Sequence, residues 1–297
     1  MTTEPGATRD AHLRADCTID AAGRIAFTFR SPAAALGSRP SQLLLRLRPK
    51  KGQPEKVLHA LDLEPVGDGR LSAVLEPEPA LAEGRWDVYL LPEPGAARQR
   101  VRPGLRDLRA LVDGQARDWP SPVAVRVPYI TKDGYLAVRA WLRTAHAEVE
   151  GIEVTDRTMT VRARLHGTTL AVGAAVRLRP RGGNGVVRTL EPRIPEPQTL
   201  EPQTLQPRAG SDARVFSFTV DYEELAADHG AGSRVWDLSV QPRPDATASP
   251  IRLGRLFDDI ADRKEIFVWP AAEVGAVVVR PYYTVDNDLS VEVTATA

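Results

Sequence analysis

The feature that most constrains this chain is that it matches itself. RLRPKKG at Arg46 corresponds to RLRPRGG at Arg177, and GRWDVYL, with Trp86 and Asp87, corresponds to SRVWDLSV, with Trp236 and Asp237. RVRPGLRDLRALVD, centred on Gly104, corresponds to SPIRLGRLFDDIADR, centred on Gly254. The order is the same in both halves. Their endings align position by position: Pro128, Tyr129, Thr131, Asp133, Leu136 and Val138 against Pro281, Tyr282, Thr284, Asp286, Leu289 and Val291. A repeat this long sets the architecture before any short motif is weighed. Two homologous domains are expected, 13–143 and 144–297, with no long linker between them, and 297 residues leave each enough chain to bury its own core. Most of the extra length of the second copy lies in EPRIPEPQTLEPQTLQPRAG, residues 191–210. Rich in Pro, Glu and Gln, it buries too little to fold and is expected to be a flexible exposed loop.

Within each copy the apolar residues alternate. RIAFTFR sets Ile25, Phe27 and Phe29 on one face, TMTVRARL does so with Met159, Val161, Ala163 and Leu165, and VFSFTV sets Phe216 and Phe218 opposite Val215 and Ser217. LLLRLRP places Leu43, Leu45 and Leu47 on one side and Arg46 and Arg48 on the other. Period two is the mark of half-buried antiparallel strands. The 25 prolines and 22 glycines, scattered between short apolar runs, mark frequent turns. The fold class expected is therefore all-β: two tandem homologous immunoglobulin-like antiparallel β-sandwich domains. Trp86 and Trp236 are expected in their cores. Only DYEELAADHG and RLFDDIADRK suggest a helical turn, the first with Gly230 as its cap.

The repeated endings are expected to be closing hairpins. Asp-Gly in YITKDGYLAV is a strong signal for a tight two-residue turn, in which both central residues take positive φ. In YYTVDNDLSV, Asn287 stands for the glycine, as the residue type that best tolerates that conformation after glycine. The Thr131 and Thr284 hydroxyls are placed to bond local backbone, and Pro128 and Pro281 belong at a strand start or edge. This structural role comes first. The alternative is a surface that holds a sugar or a protein through Tyr129, Thr131, Asp133, Tyr282, Thr284 and Asp286, with Tyr135 and Tyr283 beside them.

Composition narrows the function classes. The 39 basic and 39 acidic residues cancel, so no overall field draws in nucleic acid or an anionic membrane, and a polyanion would need a local patch. A lone Cys17, the leaderless start MTTEPGATRDAH and the lack of an apolar run of about 18 residues fit a cytoplasmic protein without a membrane span. No phosphate-binding or dinucleotide glycine motif is present, and RGGNG, with Gly182, Gly183 and Gly185, is expected in a strand-to-strand turn. His12, His59, His146, His166 and His229 stand apart from one another, and HAE at His146 lacks the cysteine pair that a zinc deaminase needs. Asp258 with Asp259 and Asp286 with Asp288 are expected on solvated faces. No catalytic residue, metal site or cofactor is indicated.

The pattern PYxTxDGxLxV closing a β domain, twice in tandem, resembles the C-terminal accessory β-sandwich domains of actinobacterial and firmicute cell-wall glycosyltransferases. These are the teichoic-acid glycosyltransferases and the CDP-glycerol glycerophosphotransferase family. Pro128, Tyr129, Thr131, Asp133, Gly134, Leu136 and Val138 carry the likeness, with their counterparts from Pro281 to Val291. In that family the catalytic domain is a separate α/β unit, which this chain lacks, and DND at Asp286 matches a DxD metal motif only as letters. The resemblance implies a non-catalytic binding or assembly module, with a glycopolymer or a glycosyltransferase as partner. Two alternatives stay open: a glycosyltransferase-related protein with activity of its own, and a structural module that forms homo-oligomers.

Overall fold

The computed structural model of the chain describes residues 13–30, 41–49, 52, 54–55, 58–113, 121–182, 185–195, 212–227, 232–244 and 249–296. It is all-β with several sheets, and among the described residues no helix is long and apolar enough to cross a membrane. The chain divides into two compact units. One comprises Met1–Ala116, Ala124–Leu142 and Phe257–Ala261; the other comprises Arg117–Val123, Arg143–Leu256 and Asp262–Ala297.

The first unit holds β1 (Arg14–Ile19), β2 (Ile25–Arg30), β3 (Gln42–Leu47), β4 (Leu58–Asp62), β5 (Glu64–Pro65), β6 (Arg70–Leu75), β7 (Gly84–Leu91), β8 (Gln99–Arg100) and β9 (Arg102–Asp107). A short helix α1 (Arg109–Asp113) follows, then β10 (Val123–Ile130) and β11 (Leu136–Arg143). One sheet has the order β5-β6-β2-β1-β9 and the other β10-β11-β7-β3-β4, with β8 paired to β7. The alternation read from the sequence fills the space between them with Ile25, Phe27, Phe29, Leu43, Leu45, Trp86, Val88, Leu136 and Val138. Cys17 is part of that core, and burial pushes its thiol up to about 12.

The second unit holds β12 (His146–Val154), β13 (Thr158–His166), β14 (Ala175–Pro180), β15 (Arg188–Leu190), β16 (Val215–Asp221), α2 (Tyr222–Ala227), β17 (Arg234–Gln241), β18 (Ile251–Gly254), β19 (Ala272–Val274), β20 (Val277–Tyr283) and β21 (Leu289–Ala295). Its strands run β16-β13-β12-β18-β17-β21-β20-β19, with β14 beside β17. β18 pairs with both β12 and β17, so it links two faces into one continuous ladder. Met159, Val161, Phe216, Phe218, Trp236, Leu238 and Val291 fill the core.

Four local features differ from the sequence expectation. First, the pairing is not wholly antiparallel. β9 runs parallel to β1, and β18 runs parallel to β12 while staying antiparallel to β17. Second, only the last loop residue of each closing hairpin has positive φ, Gly134 at 77° and Asn287 at 61°. The hydrogen bonds Thr131 N to Tyr135 O (2.9 Å) and Gly134 N to Thr131 O (2.8 Å) recur as Thr284 N to Asp288 O (2.8 Å) and Asn287 N to Thr284 O (3.0 Å). This is a three-residue loop with a left-handed final position rather than a two-residue turn.

Third, α2 forms as expected, with the Asp221 carboxylate accepting from Glu223 N at 2.8 Å, but RLFDDIADRK is not helical. Its backbone donors are taken from elsewhere: Leu256 N donates to Glu148 Oε2, Arg255 N to Asn287 O and Arg263 N to Asn287 Oδ1. Fourth, Arg193, at the head of the 191–210 segment, is pinned to Ser217 by two 2.8 Å backbone bonds. The rest of that segment from 196, with His12, Gly183, His229 and Gly230, lies outside the described residues. Pro128 sits on the edge strand β10, as expected, and Pro281 lies on β20 past the residues that β19 covers.

Both glycines at the centre of the repeat are sterically required. A Cβ on Gly254 would stand 2.7 Å from Asn287 O, and one on Gly104 would stand 2.1 Å from Asp16 Oδ1 and 3.1 Å from Ala15 backbone. Gly254→Ala is expected to destabilise the second unit by about 1–3 kcal/mol, since the obstacle is backbone that cannot rotate away. Urea unfolding followed by tryptophan fluorescence checks this, and an unchanged midpoint would refute it.

Candidate functional site

The Trp-Asp dipeptides organise the polar face of each unit. Alternation along a strand turns the tryptophan into the core and the aspartate to the other side of the sheet. In the first unit Asp87 accepts from Arg48 Nε (3.0 Å) and Nη2 (2.7 Å) and from Arg100 Nη2 (3.2 Å). The Arg100 guanidinium lies 4.3 Å from the ring centre of Tyr135 and 5.7 Å from that of Tyr89, and Arg102 lies 4.8 Å from Tyr135. Arg46 bonds the Tyr89 hydroxyl at 3.2 Å and pairs with Glu55 at 2.6 Å. Arginines thus outnumber acids on this face, and tyrosine rings hold them flat.

The second unit repeats the arrangement with fewer members. Asp237 accepts from Arg181 Nη2 at 2.6 Å and from Ser290 Oγ at 2.9 Å, and Arg252 stands 3.2 Å away. Arg181 also reaches the Tyr282 hydroxyl at 3.5 Å. Burial raises the Asp237 carboxyl, but the Arg181 hydrogen bond, the Arg252 charge and the Ser290 hydroxyl outweigh it and hold the group below the usual range.

The residues proposed from sequence divide between turn and face. Thr131 Oγ1 accepts from Tyr135 N (3.1 Å), and Thr284 Oγ1 accepts from Asp286 N (3.2 Å) and Asp288 N (3.3 Å), so both hydroxyls brace the hairpin. Asp133 and Asp286 are exposed at the turns. Tyr129 is only 8% exposed with Arg85 over its ring at 5.9 Å, and Tyr282 is half-buried against Arg181. Tyr283 points into the core, where Phe267 and Trp269 surround it and the fully buried Arg263 lies over it. Burial draws that guanidinium down to about 10, so it is charged at neutral pH.

Sequence reading missed Arg48, Asp87, Arg100, Arg181, Asp237 and Arg252. The available signal was the aspartate after each core tryptophan beside strands whose alternate residues are arginine. An acidic expectation also changes. Asp258 is buried, not solvated, because its Oδ1 accepts from Ile260 N at 3.0 Å, whereas Asp259 is exposed. His146 is a buried strand residue whose Nε2 lies 2.8 Å from Glu148 Oε2, the oxygen that also receives Leu256 N. Among the described residues no three His, Cys, Asp or Glu side chains gather closely enough to hold a metal ion. No protein-family model matches the sequence, and no curated protein does.

Because the folded-state pKa of Asp237 lies below its unfolded value of about 4, the stability it contributes is complete above that value and is lost as pH falls through the lower folded one. Asp237→Asn is therefore expected to be less stable than the parent at pH 6, with the gap closing toward pH 2.5. Denaturant unfolding across that range measures it, and a gap independent of pH would reject the ionic role.

Proposed function

We propose that the chain is a non-catalytic binding module made of two homologous immunoglobulin-like sandwiches, serving cell-wall glycopolymer glycosyltransfer in the cytoplasm. The observation that carries this reading is the aspartate–arginine–tyrosine group on the polar face of both units. Such a group suits binding. Its guanidiniums and phenols are oriented by internal partners before a ligand arrives, which reduces the ordering cost of association. A polymer with repeating units also suits a chain with two related faces, since engaging one raises the effective concentration at the other.

A second reading has its own support. Ile266 and Val268 are 62% and 74% exposed, and among the described residues Val268 meets β20 through one isolated bridge to Tyr282. An apolar segment at a thinly covered strand suits self-association into a homo-oligomer. Light scattering distinguishes the two: the binding reading expects a mass independent of concentration, and the assembly reading expects a rising mass that Val268→Lys abolishes.

The direct test is co-sedimentation with purified teichoic-acid-type polymer. Arg181→Ala with Tyr282→Ala, and separately Arg100→Ala with Tyr135→Ala, are each expected to weaken binding about tenfold while the protein stays folded, the scale of losing one charge-assisted contact. Unchanged binding in both pairs would sink the reading. Turnover of a nucleotide-activated sugar by the pure protein would instead favour a transferase with activity of its own.

A further inference from the structure

Two depressions of the second unit are both bordered by Pro250. The larger, about 850 Å³, is walled by Arg143, Arg243 and Arg252 with Thr168 and Ser249. The smaller, about 230 Å³, is walled by Arg177, Arg179 and Ser239. Ser239 is the direct cross-strand partner of Arg252, so the two depressions adjoin through the β17–β18 ladder. Among the described residues neither is lined by a carboxylate or an aromatic ring. In a chain whose charges cancel overall, five guanidiniums along one concave strip, two of them paired with Asp288 and Asp237, leave a local surplus among the described residues.

The five differ in how they are held. Arg143 is anchored to Asp288 at 3.1 Å, and Arg252 through Nη2 to Ser290 Oγ at 3.2 Å and Asp237 at 3.2 Å. Among the described residues Arg177, Arg179 and Arg243 have no side-chain ion pair or hydrogen bond. Val176 and Leu178 fill the core from the same strand, so the pleat turns Arg177 and Arg179 outward together. Gly167, with φ at 75°, tightens the larger depression: a Cβ there would stand 2.8 Å from Thr144 O.

We propose that this strip is the seat of a linear polyanion, with successive oxyanions, phosphodiester or carboxylate, lodged in the two depressions. The proposal rests on the binding-module reading and adds the chemical class of the ligand. Planar, permanently charged guanidiniums suit oxyanions through paired N–H bonds. The described lining offers guanidiniums and no ring on which a nucleobase or a pyranose face would stack, which favours recognition of charge. Two adjoining hollows rather than one favour an extended ligand over a single ion.

The test uses the full chain with fluorescent linear inorganic polyphosphate, poly-L-glutamate and neutral dextran, read by anisotropy at several KCl concentrations. Polyphosphate, polyglutamate or both are expected to bind, with affinity falling steeply as salt rises, and dextran is not expected to bind at this strip. Binding of one polyanion alone identifies the oxyanion as phosphate or carboxylate. The triple variant Arg177→Gln, Arg179→Gln, Arg243→Gln removes side chains without partners among the described residues and is expected to lose at least tenfold in affinity and to flatten the salt dependence. A control with the same charge change, Arg30→Gln, Arg70→Gln, Arg109→Gln in the first unit, is expected to bind as the parent does. Equal loss in the control, or none in the strip variant, overturns the proposal. Retention of teichoic-acid-type polymer by the strip variant would overturn the proposal and leave the binding-module reading standing, whereas failure of every polymer to bind the parent would overturn both.

Discussion

Each unit depends on a carboxylate that reaches from its first strand to the backbone of a parallel neighbour. Asp16 on β1 accepts from Leu105 N at 2.7 Å, one residue past Gly104, and Glu148 on β12 accepts from Leu256 N at 2.8 Å, two residues past Gly254. The longer glutamate reaches one residue further along the partner strand. Glycine is required because the acid-bearing strand and the closing hairpin come so near that a methyl group has no room. In the second unit the same crowding brings in Asn287, whose carbonyl and side-chain oxygen receive Arg255 N and Arg263 N. The hairpin, the first strand and the crossing segment are therefore fixed by one another, and the polar faces are positioned as a result.

Positive charge in this protein is almost entirely guanidinium. The lysines are Lys50, Lys51, Lys56, Lys132 and Lys264, and arginine supplies the remainder of the 39 cations. Arginine tolerates burial where an ammonium would shed its proton, because its charge is spread over a plane that stacks on rings and bonds carbonyls. Arg126 does so with the carbonyls of Glu76 and Gly23, and Arg263 with the Arg255 carbonyl at 3.2 Å and the Phe267 ring at 4.7 Å. On the surface the same chemistry separates two populations, those paired with Asp87 and Asp237 and those, Arg177, Arg179 and Arg243, that have no side-chain partner among the described residues.

The strands, the core tryptophans and the closing hairpins were legible from period-two alternation and self-similarity, because these are local or repeated signals. Thr131 and Thr284 were legible as turn braces for the same reason. The parallel pairing was not, since nothing within β9 or β18 records which strand lies alongside it. The loss of the helical turn after Gly254 follows from donors captured by Glu148, 108 residues from Leu256, and by Asn287, 24 residues from Arg263. The polar face was half visible. Alternate arginines and the Trp-Asp pairs were on the page, but their convergence needs β3, β7 and β8, or β14, β17 and β18, laid side by side, and one-dimensional patterning carries no such adjacency.

The burial of Cys17 has a practical corollary. It is the sole sulfhydryl of the chain, 1% exposed, with a thiolate that neutral pH scarcely populates. Alkylating dyes and spin labels should therefore pass the native protein by. A cysteine introduced on either polar face would be the one sulfur that a maleimide reaches while the fold is intact, and labelling of Cys17 itself would report the opening of the first core.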